Sequence, residues 1–236
     1  MLFSQSHARS LSEREIAICE ESFVHVESIW RYPVKSLRGE PLDEADLTRE
    51  GIAGDRFVHV ETAGRIITAR TRPALLGLAG TLGDDGNALI DGIDWRDPRS
   101  LAAIRGAAGP RAELRFHDGP ERFDVLPLLV ATDGAITAFG RDGRRLRPNI
   151  VIAGVEGLAE RSWPGSAIAI GDVRIEVSNL RGRCVMTTVD PDTLEQDHGV
   201  LREIVQRFDG TLALDCSVIS PGRIRIGDPV SPVEVG

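Results

Sequence analysis

An α+β fold dominated by short strands, in a two-domain barrel-like architecture with a few packing helices, follows from three observations. The chain has 236 residues, enough for one large domain or two small ones. Runs rich in β-branched and aromatic residues recur at short spacing between clusters of Gly, Pro and Asp. Helical periodicity is confined to three stretches.

In chain order, residues 1–21 form a polar leader with one short helical stretch at 12–21. The alternating and β-branched pattern then predicts strands at 23–30, 55–60, 65–68, 88–90, 111–117, 149–152, 168–170, 173–177, 211–219 and 223–226. Helices are predicted at 133–139, 155–161 and 200–208, where Val200, Leu201, Ile204, Val205 and Phe208 make one apolar face. Punctuation at 105–110 and at His117-Asp118-Gly119-Pro120 divides the chain into an N-terminal domain, 22–118, and a C-terminal domain, 119–236.

Charge and cysteine usage narrow the chemistry. With 36 acidic and 28 basic residues the net charge is −8, so the long-range field repels nucleic acid, and an anion has to be held by a local basic patch. The bases are 27 arginines and one lysine, Lys35, which leaves a single candidate for lysine chemistry. Cys19, Cys184 and Cys216 form no Cys-x-x-Cys or zinc spacing, and an odd count suits a reducing, cytoplasmic setting. The leader is too acidic for a transit peptide and lacks the apolar core of a secretory signal, and no run is long enough to span a membrane. Neither a nucleic-acid nor a membrane partner is expected. There is no Gly-x-Gly-x-x-Gly turn, no phosphate loop, no His-x-x-x-His pair and no Gly-x-Ser-x-Gly elbow.

Four segments carry a signal. In Tyr32-Pro33-Val34-Lys35-Ser36, Pro33 ends a strand and sets Lys35 and Ser36 on a loop where neither needs burial; the plainer reading is a solvated turn. Gly51 and Gly54 lead into Asp55-Arg56-Phe57, where Arg56 offers a fork for a phosphate or simply pairs with an aspartate. The run Gly140–Asn149 packs Arg141, Arg144, Arg145 and Arg147 against one aspartate, with Pro148 fixing the backbone beside Arg147 and Asn149. Last, Cys184 follows Arg181 and Arg183 on a Gly-containing loop after a strand, so nearby guanidiniums favour its thiolate, the nucleophilic and soft-metal-binding form. Cys216, alternating with Leu214 and Val218, reads instead as a buried small hydrophobe, and 190–193 as a tight turn.

In order, Tyr-Pro-Val-Lys-Ser, Gly-Asp-Arg-Phe (54–57), Arg-Pro-Asn-Ile-Val (147–151), Arg-Cys-x-x-Thr-Thr-Val-Asp-Pro (183–191) and Pro-Gly-x-Ile-x-Ile-Gly-Asp-Pro-Val (221–230) resemble the MOSC-domain proteins with an N-terminal MOSC β-barrel domain. Amidoxime-reducing components, hydroxylaminopurine-detoxifying relatives and the C-terminal domain of molybdenum-cofactor sulfurases belong to that group. The resemblance implies a molybdenum cofactor (molybdopterin) between two domains, with Cys184 as metal ligand and catalytic residue. It implies that Lys35, Ser36, Arg56, Arg147, Asn149 and Arg183 contact the cofactor, and that the reaction is two-electron reduction of N-hydroxylated small molecules.

Two cofactor contacts of relatives are replaced here, a serine by Leu126 and an aromatic residue by Asp215. The four-cysteine ferredoxin domain fused to some relatives is missing from the sequence, so electrons are expected from a separate electron-transfer protein of the ferredoxin or reductase type. With no aminotransferase-like half, no pyridoxal phosphate is expected. Two other readings remain open at this stage. One is a non-catalytic carrier of the cofactor, or of persulfide sulfur on Cys184; the other is a β-barrel module that binds an anion through the Arg147 patch.

Overall fold

The computed structural model of the chain describes residues 23–233. The leader helix expected at 12–21, with Cys19, lies outside the described residues. Strands dominate, as the sequence predicts, and the largest group is an eight-stranded sheet. Its order is Val230–Val233, Ser166–Ile170, Val173–Gly182, Thr211–Ser220, Leu128–Thr132, Ile150–Ala153, His25–Arg31, Glu40–Leu42. The first strand of the chain therefore pairs with a strand more than a hundred residues later, in the register Ile29↔Ile150.

Neighbours in this sheet are antiparallel except Leu128–Thr132 and Ile150–Ala153, which run parallel. A parallel pair needs a crossover rather than a hairpin, and helix Asp133–Phe139 supplies it. Thr132 starts that helix by accepting from the Ala135 amide at 3.1 Å, and Gly140, left-handed at φ 67°, ends it. The return leg enters the second parallel strand through Arg147, Pro148 and Asn149. The entry to Leu128 and the exit of His25–Arg31 lie at that same end of the sheet.

The strand Thr211–Ser220 separates two environments. Leu214, Cys216 and Val218 face the main core with Leu128, Val130, Ile150 and Ile175, while Asp215 is in register with Leu129 on the other face. Cys216 is buried, as expected, and burial pushes its thiol pKa up. A second core, containing Val34, Leu37, Val58, Val60, Leu75 and Ile104, holds the three-stranded sheet Glu113–Phe116, Val58–Thr62, Arg65–Ile67. A third lies under helix His198–Phe208, whose Val200, Ile204 and Phe208 pack on Phe139 and Leu146.

Two local expectations need correction. Residues 98–108 form a helix, Pro98–Ala108, where the sequence reading expects none, and its end runs into 105–110, which reads as punctuation in the sequence. Asp97 caps it by accepting from the Arg99 amide at 2.8 Å, proline follows the cap, and Ser100, Ile104 and Ala108 face inward at four-residue spacing. Conversely, the helix expected at 155–161 reduces to a 3-10 turn, Ala159–Ser162, because Gly157 takes a left-handed φ of 58° that breaks any longer helix.

That turn buries Glu160 completely, with Oε1 lacking a hydrogen-bond partner among the described residues and Oε2 only 3.4 Å from the Thr132 hydroxyl. Burial raises its pKa, outweighing the hydrogen bonds from its own backbone and Thr132 and the charge of Arg161. A raised carboxyl means the folded state holds the proton longer, so stability falls as pH climbs from the ordinary Glu pKa through the raised one. Glu160→Gln is therefore expected to leave thermal stability near wild type at pH 4 but to raise it at pH 7, by an amount of order 1 kcal/mol. Unfolding midpoints at the two pH values check this; an equal shift at both would contradict it.

Candidate functional site

All seven residues singled out by sequence (Lys35, Ser36, Arg56, Arg147, Asn149, Arg183 and Cys184) line one cavity. It lies against the sheet face that carries Leu129 and Asp215. The first two motifs run side by side there. Lys35 N donates to Val58 O at 2.7 Å, and Arg56 N to Tyr32 O at 2.8 Å. Asp55, buried beneath them, accepts from the Tyr32 amide at 2.6 Å and pairs with Arg56.

Asn149 locks this corner. Its Nδ2 donates to Trp30 O and Asp55 Oδ2, both at 3.2 Å, while Oδ1 accepts from Leu129 N at 3.2 Å and the Arg56 guanidinium at 3.3 Å. Both ends of the amide are thus engaged by protein groups, so Asn149 holds Asp55 and Arg56 in place as it lines the wall. Tyr32 is also fixed: its hydroxyl donates to Pro148 O at 3.0 Å. Burial, working against the field of Arg147 and Arg56, pushes the Tyr32 pKa up to about 12.

Three residues of this wall carry backbone strain. Ser36, Arg56 and Arg147 all have left-handed backbones, with φ of 72°, 58° and 57°. For a residue with a Cβ that conformation costs on the order of 1 kcal/mol or more. Three such residues on one cavity mean that the fold holds their side chains inward at a local cost.

The expectation that Lys35 and Ser36 lie on a loop where neither needs burial is overturned, since both are buried. Lys35 is only 8% exposed, and its amine donates to Arg122 O at 2.8 Å and pairs with Asp124 at 2.8 Å. Both partners come from the segment that precedes strand Leu128–Thr132. Arg122, itself buried, holds that segment through Asp55 O and Glu50. Asp124 also pairs with Arg70 at 2.7 Å and lies 3.8 Å from Arg181.

Cys184 is half-buried and follows the end of strand Val173–Gly182. Its carbonyl accepts from Thr187 N at 3.0 Å and Thr187 Oγ1 at 2.8 Å, which closes the turn Val185–Thr188. Arg145 braces that turn through Asp190 at 2.7 Å. Asp190 Oδ1 in turn accepts from the amides of Asp192 and Thr193, so 190–193 is the expected tight turn.

The guanidiniums beside the thiol differ from those the sequence suggests. Arg181 turns to Asp215 at 2.7 Å, whereas Arg70, distant in sequence, lines the same cavity wall as Cys184. Burial opposes the Arg70 charge, but Asp124 and the Cys184 sulfur outweigh it and raise its pKa.

The cavity wall carries seven cations (Lys35, Arg56, Arg70, Arg145, Arg147, Arg181, Arg183) against two carboxylates, Asp124 and Asp215. Five of the cations have an ion pair within 4 Å; Arg147 and Arg183 have none among the described residues. The Arg183 guanidinium donates one hydrogen bond among the described residues, to Leu146 O at 2.7 Å, and its Nε is buried there without a partner. Burial pushes the pKa of both down to about 10, aided by like charge from Arg56 at Arg147 and from Arg181 at Arg183. Both stay protonated at neutral pH. The Ser36 hydroxyl likewise has no protein partner among the described residues. Such a set of inward donors and uncompensated positive charge is suited to an anion with several acceptor oxygens.

Arg70, Arg181, Asp124 and Asp215 were missed as site residues by sequence reasoning. Two of them offered a signal, Arg181 as a near neighbour of Cys184 and Asp215 as a charge inside an apolar strand.

A family model described as the MOSC domain matches residues 137–231, and one described as the MOSC N-terminal beta barrel domain matches residues 23–97. The mitochondrial amidoxime reducing component 2 of Rattus norvegicus is 34% identical, over 87% of this chain and 82% of its own length. This chain belongs to the MOSC-domain family.

The mitochondrial amidoxime-reducing component 1 of Homo sapiens is 27% identical with the same coverage of both chains. Among solved structures, the YUAD protein from Bacillus subtilis superposes with a TM-score of 0.51 at 15% identity, covering 90% of this chain and 97% of that one, a likeness of fold. The cavity of this MOSC protein takes its wall from both matched regions, Lys35, Ser36, Arg56 and Arg70 from the first and Arg145 to Asp215 from the second. No helix among the described residues is long and apolar enough to cross a membrane.

Proposed function

We propose that the cavity holds a molybdenum cofactor, with Cys184 as a ligand to the metal, and that the protein reduces N-hydroxylated small molecules with electrons from a separate protein. The observation that carries this reading is the pairing of a half-buried free thiol with two guanidiniums, Arg147 and Arg183, that no carboxylate compensates. The donor set fits such a group. A soft thiolate suits a sulfur-rich metal centre, and Arg147, Arg183, Ser36 and Arg56 present forks and a hydroxyl to a terminal phosphate. Relatives named for amidoxime reduction supply the reaction class.

When bound, the group supplies a metal centre that accepts an electron pair and passes it to the substrate. The chain's own residues do the rest. Cys184 would hold the metal, on a wall it shares with Arg70 and Arg183. Asp55 and Asn149 hold Arg56, and the strap through Arg122 and Asp124 holds Lys35 and Arg70. Overall, the N–O bond of the substrate breaks, an electron pair and two protons are taken up, and oxygen leaves as water.

Protein produced in a cofactor-competent host should oxidise a reduced viologen when benzamidoxime is added. Turnover no greater than that of metal-free protein would count against the reading. Ser36→Gly separates strain from binding. It relieves a left-handed backbone, so the unfolding midpoint should rise by an amount corresponding to roughly 1 kcal/mol, while molybdenum retention falls because a hydroxyl leaves the wall. A fall in both would show that Ser36 is merely structural.

A further inference from the structure

We propose that Tyr32 is a positioning residue for the anion site, its ring holding the guanidiniums of Arg147 and Arg56 in the orientation that presents them to the cavity. The proposal rests on the reading of that cavity as a phosphate-binding site. Arg147 Cζ lies over the Tyr32 ring at 4.3 Å from its centroid and Arg56 Cζ at 5.0 Å, both within reach of a cation–π contact. For Arg56 the ring adds to bonds with Asp55 and Asn149. Arg147 is different: among the described residues its guanidinium has no ion pair and no hydrogen bond, and what it has is the face of the Tyr32 ring.

The ring itself cannot move. The Tyr32 amide is bonded to Asp55, and its hydroxyl to the carbonyl of Pro148, the residue directly after Arg147. Against its edge lies Gly39, where a Cβ would collide with Tyr32 Cδ1 and the Arg31 carbonyl. Tyr32 also lines a second, more apolar cavity with Trp30, Leu76 and Val189, of which Arg145, Arg147 and Met186 are shared walls. Removing the ring would leave Arg147 free to swing from the anion site into that space. A guanidinium fixed before the ligand arrives loses less freedom on binding, which is where the affinity comes from.

The test is calorimetric titration of metal-free protein with inorganic phosphate, alongside thermal unfolding. Tyr32→Phe keeps the ring and should bind phosphate within about twofold of wild type, whereas Tyr32→Leu should bind about tenfold more weakly. In the Arg147→Ala background, Tyr32→Leu should cost little more, since the group it orients is gone. If Tyr32→Leu fails to fold, a trifluorinated phenylalanine at position 32 keeps the shape and weakens the ring quadrupole, and affinity should drop below that of Tyr32→Phe. Unchanged phosphate affinity in Tyr32→Leu, full additivity with Arg147→Ala, or no response to fluorination would overturn the proposal while leaving the anion site standing. A wild-type protein that does not bind phosphate would overturn both.

Discussion

Cys184→Ser is expected to lower molybdenum occupancy and N-hydroxyl reduction by more than about a hundredfold without unfolding the protein. Changes in groups that merely support a ligand already cost 10- to 100-fold in metal affinity, and a serine hydroxyl is a hard, weakly acidic substitute for a soft thiolate. The fold should tolerate the change, because Cys184 belongs to none of the apolar cores and the turn that carries it is closed by the backbone carbonyl and Thr187. Cys216→Ala is the matching control. That thiol faces the main core on the opposite side of the sheet from Asp215, so its loss should lower the unfolding midpoint while molybdenum per folded chain is retained. Elemental analysis of both variants distinguishes the roles; equal molybdenum in Cys184→Ser and wild type would remove Cys184 from the metal.

Arg147→Ala has the second largest expected effect, and its sign differs between binding and stability. A charge-assisted hydrogen bond to a phosphate contributes about 1.5–3 kcal/mol, so its loss should weaken cofactor retention by roughly 10- to 100-fold. Folding should not suffer in proportion. The guanidinium is desolvated and has no anionic partner, and burial has already lowered its pKa to about 10. Removing it eliminates an uncompensated charge at the expense of one contact with Tyr32. The expected pattern is an unfolding midpoint equal to or above that of wild type together with depleted pterin and molybdenum, the trade-off typical of binding sites. A sharp loss of stability would mean that Arg147 acts as a strut of the fold.

Much of the cavity was legible in the sequence because its residues sit in short motifs. Lys35 and Ser36, Arg56, Arg147 and Asn149, and Arg183 and Cys184 each fall within a few positions of one another, and each segment follows or enters a strand, where the chain can turn side chains toward a cleft. Illegible were the partners that only tertiary structure joins. Arg70 joins Cys184 on one cavity wall from more than a hundred residues away, and Asp124 gathers Lys35, Arg70 and Arg181 from three separate segments. The burial of Lys35 was missed for the same reason, since its cover is the distant strap at 118–124.

At the level of fold, alternation placed Cys216 in the core, and apolar spacing placed the helices Asp133–Phe139 and His198–Phe208. Two glycine-containing stretches misled in opposite directions. Capping by Asp97 and Pro98 sustains a helix through Gly106, while left-handed Gly157 breaks one that apolar spacing suggested. Backbone conformation, more than composition, decides those cases.

The central claim is that one cavity, built from both halves of the chain, holds a molybdenum cofactor through Cys184 and an uncompensated cluster of guanidiniums. Its most direct test is elemental and pterin-fluorescence analysis of the purified protein from a cofactor-competent host. The expected result is stoichiometric molybdenum with pterin in equal amount. Protein that is folded, monodisperse and free of both would contradict the claim.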